Sequence, residues 1–243
     1  MSDICQVCGG HEAMPMVHQE PHLWVRCPDC NFAWISPMPD PAEQSAEERD
    51  AIARACIAAD VAKIDSKMRR SRRRVRRLAR RMPGKRLLDI GSSIGFMVAA
   101  AMERGLDATG IDSNPLLVEE ARRRYPQGRF ILGTFEEADL PAAAFDGVCC
   151  SEVIGHIPDS NRFLSALARV MKPDAVLFLT TPALREYTRG TEPGRWRRFG
   201  GPEHKLYFSP ANIRTQLHKH GFSQVRVLFN YGRGIKLFAM RAG

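Results

Sequence analysis

Hydrophobic and polar positions change their rhythm along this chain. From residue 85, short apolar runs alternate with helical patterns. Strands are predicted at Arg86–Ile90, Asp107–Ile111, Phe130–Leu132, Phe145–Cys150 and Ala175–Thr180. Helices are predicted at Ile94–Arg104, Pro115–Tyr125 and Asn161–Met171. Short apolar strands alternating with helices imply a parallel sheet covered on both faces. The end of the chain differs. Ser209–His220 reads as a helix capped by Ser209 and stopped by Gly221. Phe222–Phe229 and Ile235–Met240, joined by a glycine-containing link, read as an antiparallel hairpin. The predicted fold is α/β: five parallel strands plus a hairpin in one seven-stranded sheet.

Upstream, Ile57, Val61, Ile64, Met68, Ser71, Val75, Leu78 and Met82 recur at alternating spacings of four and three. That predicts one long helix, begun by the capping box Ser45-Ala-Glu-Glu48 and ended by Pro83-Gly84. Its polar faces hold most of the charge. The chain has 243 residues and a net charge of +9, and residues 69–86 alone contribute eleven positive charges and no acid. Nine minus eleven leaves −2 for everything else, so net charge by itself does not argue for nucleic acid. Three readings of the helix compete: a stripe packed on the next domain with a solvated basic face, a homodimer paired through residues 57–82, and a contact with nucleic acid or another anionic surface.

No apolar run approaches the roughly 18 residues of a membrane span, and the first residues show no secretory pattern. A cytoplasmic protein is the expectation.

Four of seven cysteines form two C-x2-C pairs, Cys5/Cys8 and Cys27/Cys30. Each pair turns two thiolates toward one centre, and two such knuckles complete a tetrahedron. A zinc ribbon with a structural Zn2+ is predicted over residues 1–40. Disulfides are disfavoured by the expected compartment. The proline-rich stretch Ser36–Pro41 closes the ribbon, residues 41–84 form the helical connector, and residues 85–243 form the main domain.

In the main domain, Leu87-Leu-Asp-Ile-Gly-Ser-Ser-Ile-Gly-Phe96 reads as strand, glycine turn and helix start, with Asp112 ending the next strand. Ligands of such sheets sit outside the carboxyl ends of the strands, and an acid there accepts from ribose hydroxyls. A nicotinamide dehydrogenase would need G-x-G-x-x-G, and Ser93 and Phe96 occupy its second and third glycine positions.

Residues 85–240 resemble the class I S-adenosylmethionine (SAM)-dependent methyltransferases. The resemblance rests on Asp89 before the first glycine, Asp112, Phe145-Asp146, and Val153-Ile-Gly-His-Ile-Pro-Asp159. With Val25-Arg-Cys-Pro-Asp-Cys30, Pro37-Met-Pro39 and Pro202-Glu-His-Lys-Leu-Tyr-Phe-Ser209, the whole chain looks like the subgroup with an N-terminal zinc ribbon, often associated with surface-glycan or natural-product pathways. The resemblance implies SAM as cofactor. It places Asp89, Gly91, Ser93 and Gly95 at the methionine end, Asp112 on the ribose, Thr134 and Phe135 near the adenine, and Ser151 and Glu152 beside the methionine.

The chain departs from the pattern where Ser93 replaces the middle glycine of the loop. Gly155 stands where relatives commonly carry glutamate, and Gly155 with Val153 removes two of three polar groups used by related sugar C-methyltransferases.

The implied function is methyl transfer to a small-molecule acceptor, anionic or glycan-related, under a lid formed by residues 182–208, where basic and aromatic residues interleave. His156, His204 and Tyr207 are the acid/base candidates. An RNA methyltransferase gripping RNA with ribbon and helix is the alternative, although no N/D-P-P-F/Y motif is present. A non-catalytic SAM-binding scaffold is the third reading.

Overall fold

The computed structural model describes residues 4–19, 22–40, 44–184, 204–228 and 234–243. Three N-terminal strands, β1 (Met14–Gln19), β2 (His22–Arg26) and β3 (Ala33–Ser36), form an antiparallel ribbon. Two helices follow, α1 (Ala46–Val61) and α2 (Ile64–Ala79). Then strands and helices alternate: β4 (Arg86–Ile90), α3 (Phe96–Met102), β5 (Asp107–Asp112), α4 (Pro115–Arg124), β6 (Arg129–Leu132), β7 (Phe145–Ser151), α5 (Ser160–Val170) and β8 (Met171–Thr181). A two-residue strand β9 (Leu206–Tyr207), helix α6 (Pro210–Lys219) and the hairpin β10 (Phe222–Val227) and β11 (Ile235–Arg241) complete the chain.

The large sheet has the order β10-β11-β8-β7-β4-β5-β6. Strands β4 to β8 are mutually parallel, and β11 and β10 are antiparallel. This is the predicted sheet. Its order reverses at β4, whose neighbours β5 and β7 carry their crossovers to opposite sides. A reversal of this kind opens a crevice at the carboxyl ends of the strands.

Where the stripe predicts one helix, the structure has two, broken at Ala62 and Lys63. The cause lies in what each half can cover. In α2, Ser71, Val75 and Leu78 are buried, and Val75 and Leu78 cluster with Leu87, Val98 and Phe178. In α1 the only buried residue is Ala53, and the helix turns instead toward α4. Val61 and Ile64, at the break, remain exposed. One straight helix cannot lie on both α3 and α4, so the chain bends between them. The capping box holds as predicted, with Glu48 N–H donating to Ser45 Oγ at 3.1 Å.

The ribbon shares a core with the large sheet. Cys5, Val7, Phe32 and Trp34 pack in one cluster with Phe163, Phe208 and Leu217. Gln6, inside the first C-x2-C turn, ties the two together. Its Oε1 accepts from Ser160 N–H at 2.8 Å, its Nε2 donates to Pro158 O at 2.7 Å, and its carbonyl accepts from Gln216 Nε2 at 2.8 Å.

Of the expected lid, residues 185–203 lie outside the described residues. The remainder of its return limb is part of the ribbon sheet. Strand β9 pairs antiparallel with β3, Ala33 opposite Tyr207 and Trp34 opposite Leu206.

Candidate active site

The loop after β4 is shaped by three residues in the left-handed region: Gly91 (φ +68°), Ser93 (φ +48°) and Gly95 (φ +89°). At Gly91 an added Cβ would lie 2.4 Å from Val153 Cγ2, so glycine is needed for space as well as for conformation. Ser93 occupies the same region without a glycine's freedom, a mildly strained position. It is held by its N–H, which donates to Asp112 Oδ2 at 2.9 Å. Asp112 Oδ1 accepts from Asn114 N–H at 3.0 Å. Each carboxylate oxygen retains a second acceptor direction, so Asp112 is fixed in orientation and still able to receive hydroxyls. Burial raises its pKa, and these backbone donors oppose the rise.

Asp89, the penultimate residue of β4, lies immediately below the loop and is 4% exposed. Burial lifts its carboxyl to about 7, against the lowering effects of the Cys149 thiol and Arg74. The folded value lies above the unfolded one. The fold therefore favours the protonated acid, and this contribution is complete below about pH 4 and lost as pH rises through 7. Asp89→Asn is expected to flatten the stability profile between pH 4 and 8. At pH 8 the variant should exceed the wild type by on the order of 2–4 kcal/mol. Urea unfolding across that range checks this; parallel profiles would contradict it.

Strand β7 delivers the next group. Ser151 Oγ lies 2.9 Å from Thr180 Oγ1, and Thr180 Oγ1 donates to Glu152 Oε1 at 2.7 Å. Glu152 has φ +61° and its N–H donates to Thr180 O at 2.8 Å. The end of β8 thus clamps the end of β7, a role for Thr180 that sequence reasoning missed. Thr134 is exposed and donates to Glu137 Oε2 at 2.7 Å. Phe135 is 5% exposed and packs against Phe163 with ring centroids 5.4 Å apart; its ring belongs to the core.

The acid/base candidates, distant in sequence, come together. His156 ends a single 3-10 turn, Ile154–His156, just past β7. Its ring centroid is 4.1 Å from that of His204. Lys205 N–H donates to Gly155 O at 2.7 Å and fixes the approach. A Cβ at position 155 would meet His204 Cδ2 and Leu206 O at 3.3 Å, which gives Gly155 a packing reason. Burial, assisted by His156, lowers the His204 pKa to about 4. Tyr207 stacks at 6.1 Å from His204 but is fully buried and sits 5.1 Å from Trp24. It joins the ribbon to the domain and supports His204 from behind, which is a packing position rather than that of an accessible acid or base.

At the far end of the ribbon the Sγ atoms of Cys5, Cys8, Cys27 and Cys30 all lie within 4.8 Å of one another. The Cys5–Cys30 and Cys8–Cys27 pairs are each 3.5 Å apart. A zinc ion at about 2.3 Å from each of four sulfurs needs them about 3.8 Å apart. The donor set therefore fits a tetrathiolate Zn2+, which would have no open coordination position and hence a structural role. Burial pushes the Cys5 thiol up to about 11 and raises Cys30 further; a bound cation would stabilise the thiolate forms of these two buried groups.

A family model described as a methyltransferase domain matches residues 63–227. The chain belongs to this family. Among curated relatives, a malonyl-[acyl-carrier protein] O-methyltransferase of Serratia marcescens is 32% identical over 134 residues, covering 55% of this chain and 52% of the relative. A ubiquinone biosynthesis O-methyltransferase of Idiomarina loihiensis is 34% identical over 168 residues, covering 63% and 69%. The chain spans about half the length of the first curated relatives it matches. A solved SAM-dependent methyltransferase from Archaeoglobus fulgidus superposes with a TM-score of 0.56 at 17% identity, over 71% of this chain and 94% of that one. The matched residues run from the start of α2 to the end of β10 and include β4, β5 and β7. The family supports SAM as methyl donor, and the loop Gly91–Gly95 with Asp112 is the part of this methyltransferase domain suited to hold it.

Proposed function

We propose that the chain transfers a methyl group from SAM to an oxygen of a small-molecule acceptor. The observation that carries this reading is the His156–His204 pair at the carboxyl edge of the sheet. Bound SAM supplies an electrophilic sulfonium methyl. An acceptor hydroxyl must lose its proton as it attacks, and a positioned imidazole accelerates such steps by about 10²–10⁴. His204, its pKa held near 4 by burial and by His156, stays neutral at physiological pH; too weak a base to take the proton itself, it packs against and orients His156, the ring that does. Thr181 Oγ1, buried, without a hydrogen-bond partner among the described residues and near Gly155, adds a polar group on the same side. Glu152 and Ser151, held by Thr180, bound the crevice. Displacement itself depends mainly on alignment and exclusion of water. The relatives named as O-methyltransferases support oxygen as the acceptor atom.

His156→Ala is expected to lower kcat by about a hundredfold and to leave SAM affinity within about twofold. Steady-state kinetics with an accepted hydroxyl substrate, together with SAM titration, tests this. An unchanged kcat would remove His156 from the mechanism.

A further inference from the structure

The buried and exposed lines of α2 are one pattern displaced by two residues. Ser71, Val75 and Leu78 are buried, and Met82, just past the helix, packs on the same cluster. Arg69, Arg73, Arg76 and Arg80 repeat that spacing two residues earlier. Two residues of helix turn through about 200°, so these four arginines stand opposite the buried line. All four are exposed, as are Arg70 and Arg77 beside them. From Arg69 to Arg80 is about 16 Å along the axis.

The acids near α2 are engaged by other cations. Arg72, on one flank of the helix, holds Glu103 in a bidentate pair. Arg74, on the other flank, lies over the Phe178 ring at 5.7 Å and acts on the buried acid Asp89. Lys67 pairs with Asp60. None of the six exposed arginines takes part in an ion pair among the described residues, and residues 69–86 contain no acid. Their charge is felt on β11, where burial and then Arg74, Arg77, Arg73 and Arg70 lower the Lys236 pKa.

Six like charges on one rod attract a polyanion, and the remainder of the chain, at −2, does not. The face itself selects the partner. A protein partner needs apolar anchors at the centre of its contact, and the outer line of α2 has arginines only. A membrane-surface helix lays its apolar face in the bilayer, and here Val75 and Leu78 are each 1% exposed beneath the helix. Single nucleic-acid strands stack on aromatic rings, and residues 64–79 include none. A row of guanidinium forks suits phosphate oxygens. Because α2 lies on the sheet, it offers one face and meets a duplex backbone without entering a groove.

We infer that the outer face of α2 docks the phosphate backbone of a nucleic-acid duplex, with Arg69, Arg73, Arg76 and Arg80 along the contact and Arg70 and Arg77 on its flank. Such docking is independent of sequence and holds whatever the methyl acceptor is.

The test is fluorescence anisotropy of the zinc-loaded full chain with a labelled RNA duplex of about 16 base pairs, and with the matching DNA duplex, from roughly 50 to 200 mM salt. Saturable binding is expected, with the logarithm of affinity falling linearly against that of salt. Arg73→Gln with Arg76→Gln removes two phosphate contacts. Affinity should fall by about tenfold or more near 0.1 M salt, and the DNA slope should become shallower by about 1.8. Arg214→Gln with Arg226→Gln removes the same charge from α6 and β10 and should leave affinity within about twofold. All four positions are exposed, and an unchanged thermal transition verifies that each variant folds. Absence of binding to both duplexes, an unchanged slope in the α2 variant, an equal loss in the α6 and β10 variant, tighter binding of single strands, or preference for phosphatidylglycerol vesicles would each overturn the proposal.

Discussion

Removing zinc, or replacing Cys27 by serine, is expected to destabilise the whole chain and not the first 40 residues alone. The ribbon is bonded into the domain at several points. Gln6 bridges Pro158, Ser160 and Gln216, Asn212 Nδ2 donates to Cys30 O at 2.8 Å, and Lys219 Nζ donates to Val7 O at 3.2 Å. Phe32 stacks against Trp34 and Phe208 within 6 Å. Cys5 and Cys27 are 1% and 0% exposed, so without a cation the knuckles bury thiols held only by weak contacts with Cys30 and Cys8. Apparent zinc energies in small finger peptides are about 10–16 kcal/mol. If a third of that is lost by the rest of the domain, about 4 kcal/mol, the melting temperature should fall by roughly 10 °C. Calorimetry before and after chelation, with metal analysis to verify removal, checks it. Because β9 hangs on β3, the same treatment should also disturb His204. A transition unchanged by complete metal loss would contradict this account of the ribbon.

The second large effect concerns Asp112. Its two oxygens are fixed by Ser93 and Asn114, leaving outward lone pairs for two ribose hydroxyls. Hydrogen bonds to a charged group contribute about 1.5–3 kcal/mol each. Asp112→Ala should therefore weaken SAM binding by about a hundredfold, and Asp112→Asn by less, since the amide keeps one acceptor oxygen. Equilibrium dialysis with labelled SAM reads the difference. The alanine variant loses both loop contacts and the asparagine variant one of them, so loop order is read separately in each, by amide exchange at Ser93 and Asn114. Equal affinity in all three proteins would remove Asp112 from the site.

The sheet is legible in the sequence because each strand from β4 to β8 is a short apolar run set off by turn residues, and Gly91, Asn114, Asp159 and Ser209 mark helix or loop starts by local chemistry. The four cysteines are legible because ligand spacing is a local property. What long-range packing decides is not legible. The stripe from Ile57 to Met82 is continuous, yet the helix breaks at Ala62 because α3 and α4 compete for its two halves. Strand β9 is two residues long and finds β3 more than 170 residues away. His156 and His204 are each visible as candidates, but their contact depends on Gly155 admitting the 204–206 segment. Tyr207 carries the same aromatic signal as a catalytic tyrosine, and only its burial against Trp24 separates the two roles.

The central claim, that the crevice between β4, β5 and β7 is a SAM site, is tested most directly by calorimetric titration of the zinc-loaded chain with SAM. The account predicts saturable binding of one SAM per chain. No heat of binding at concentrations well above those that saturate the family's typical sites, with the chain shown to be folded, would contradict it.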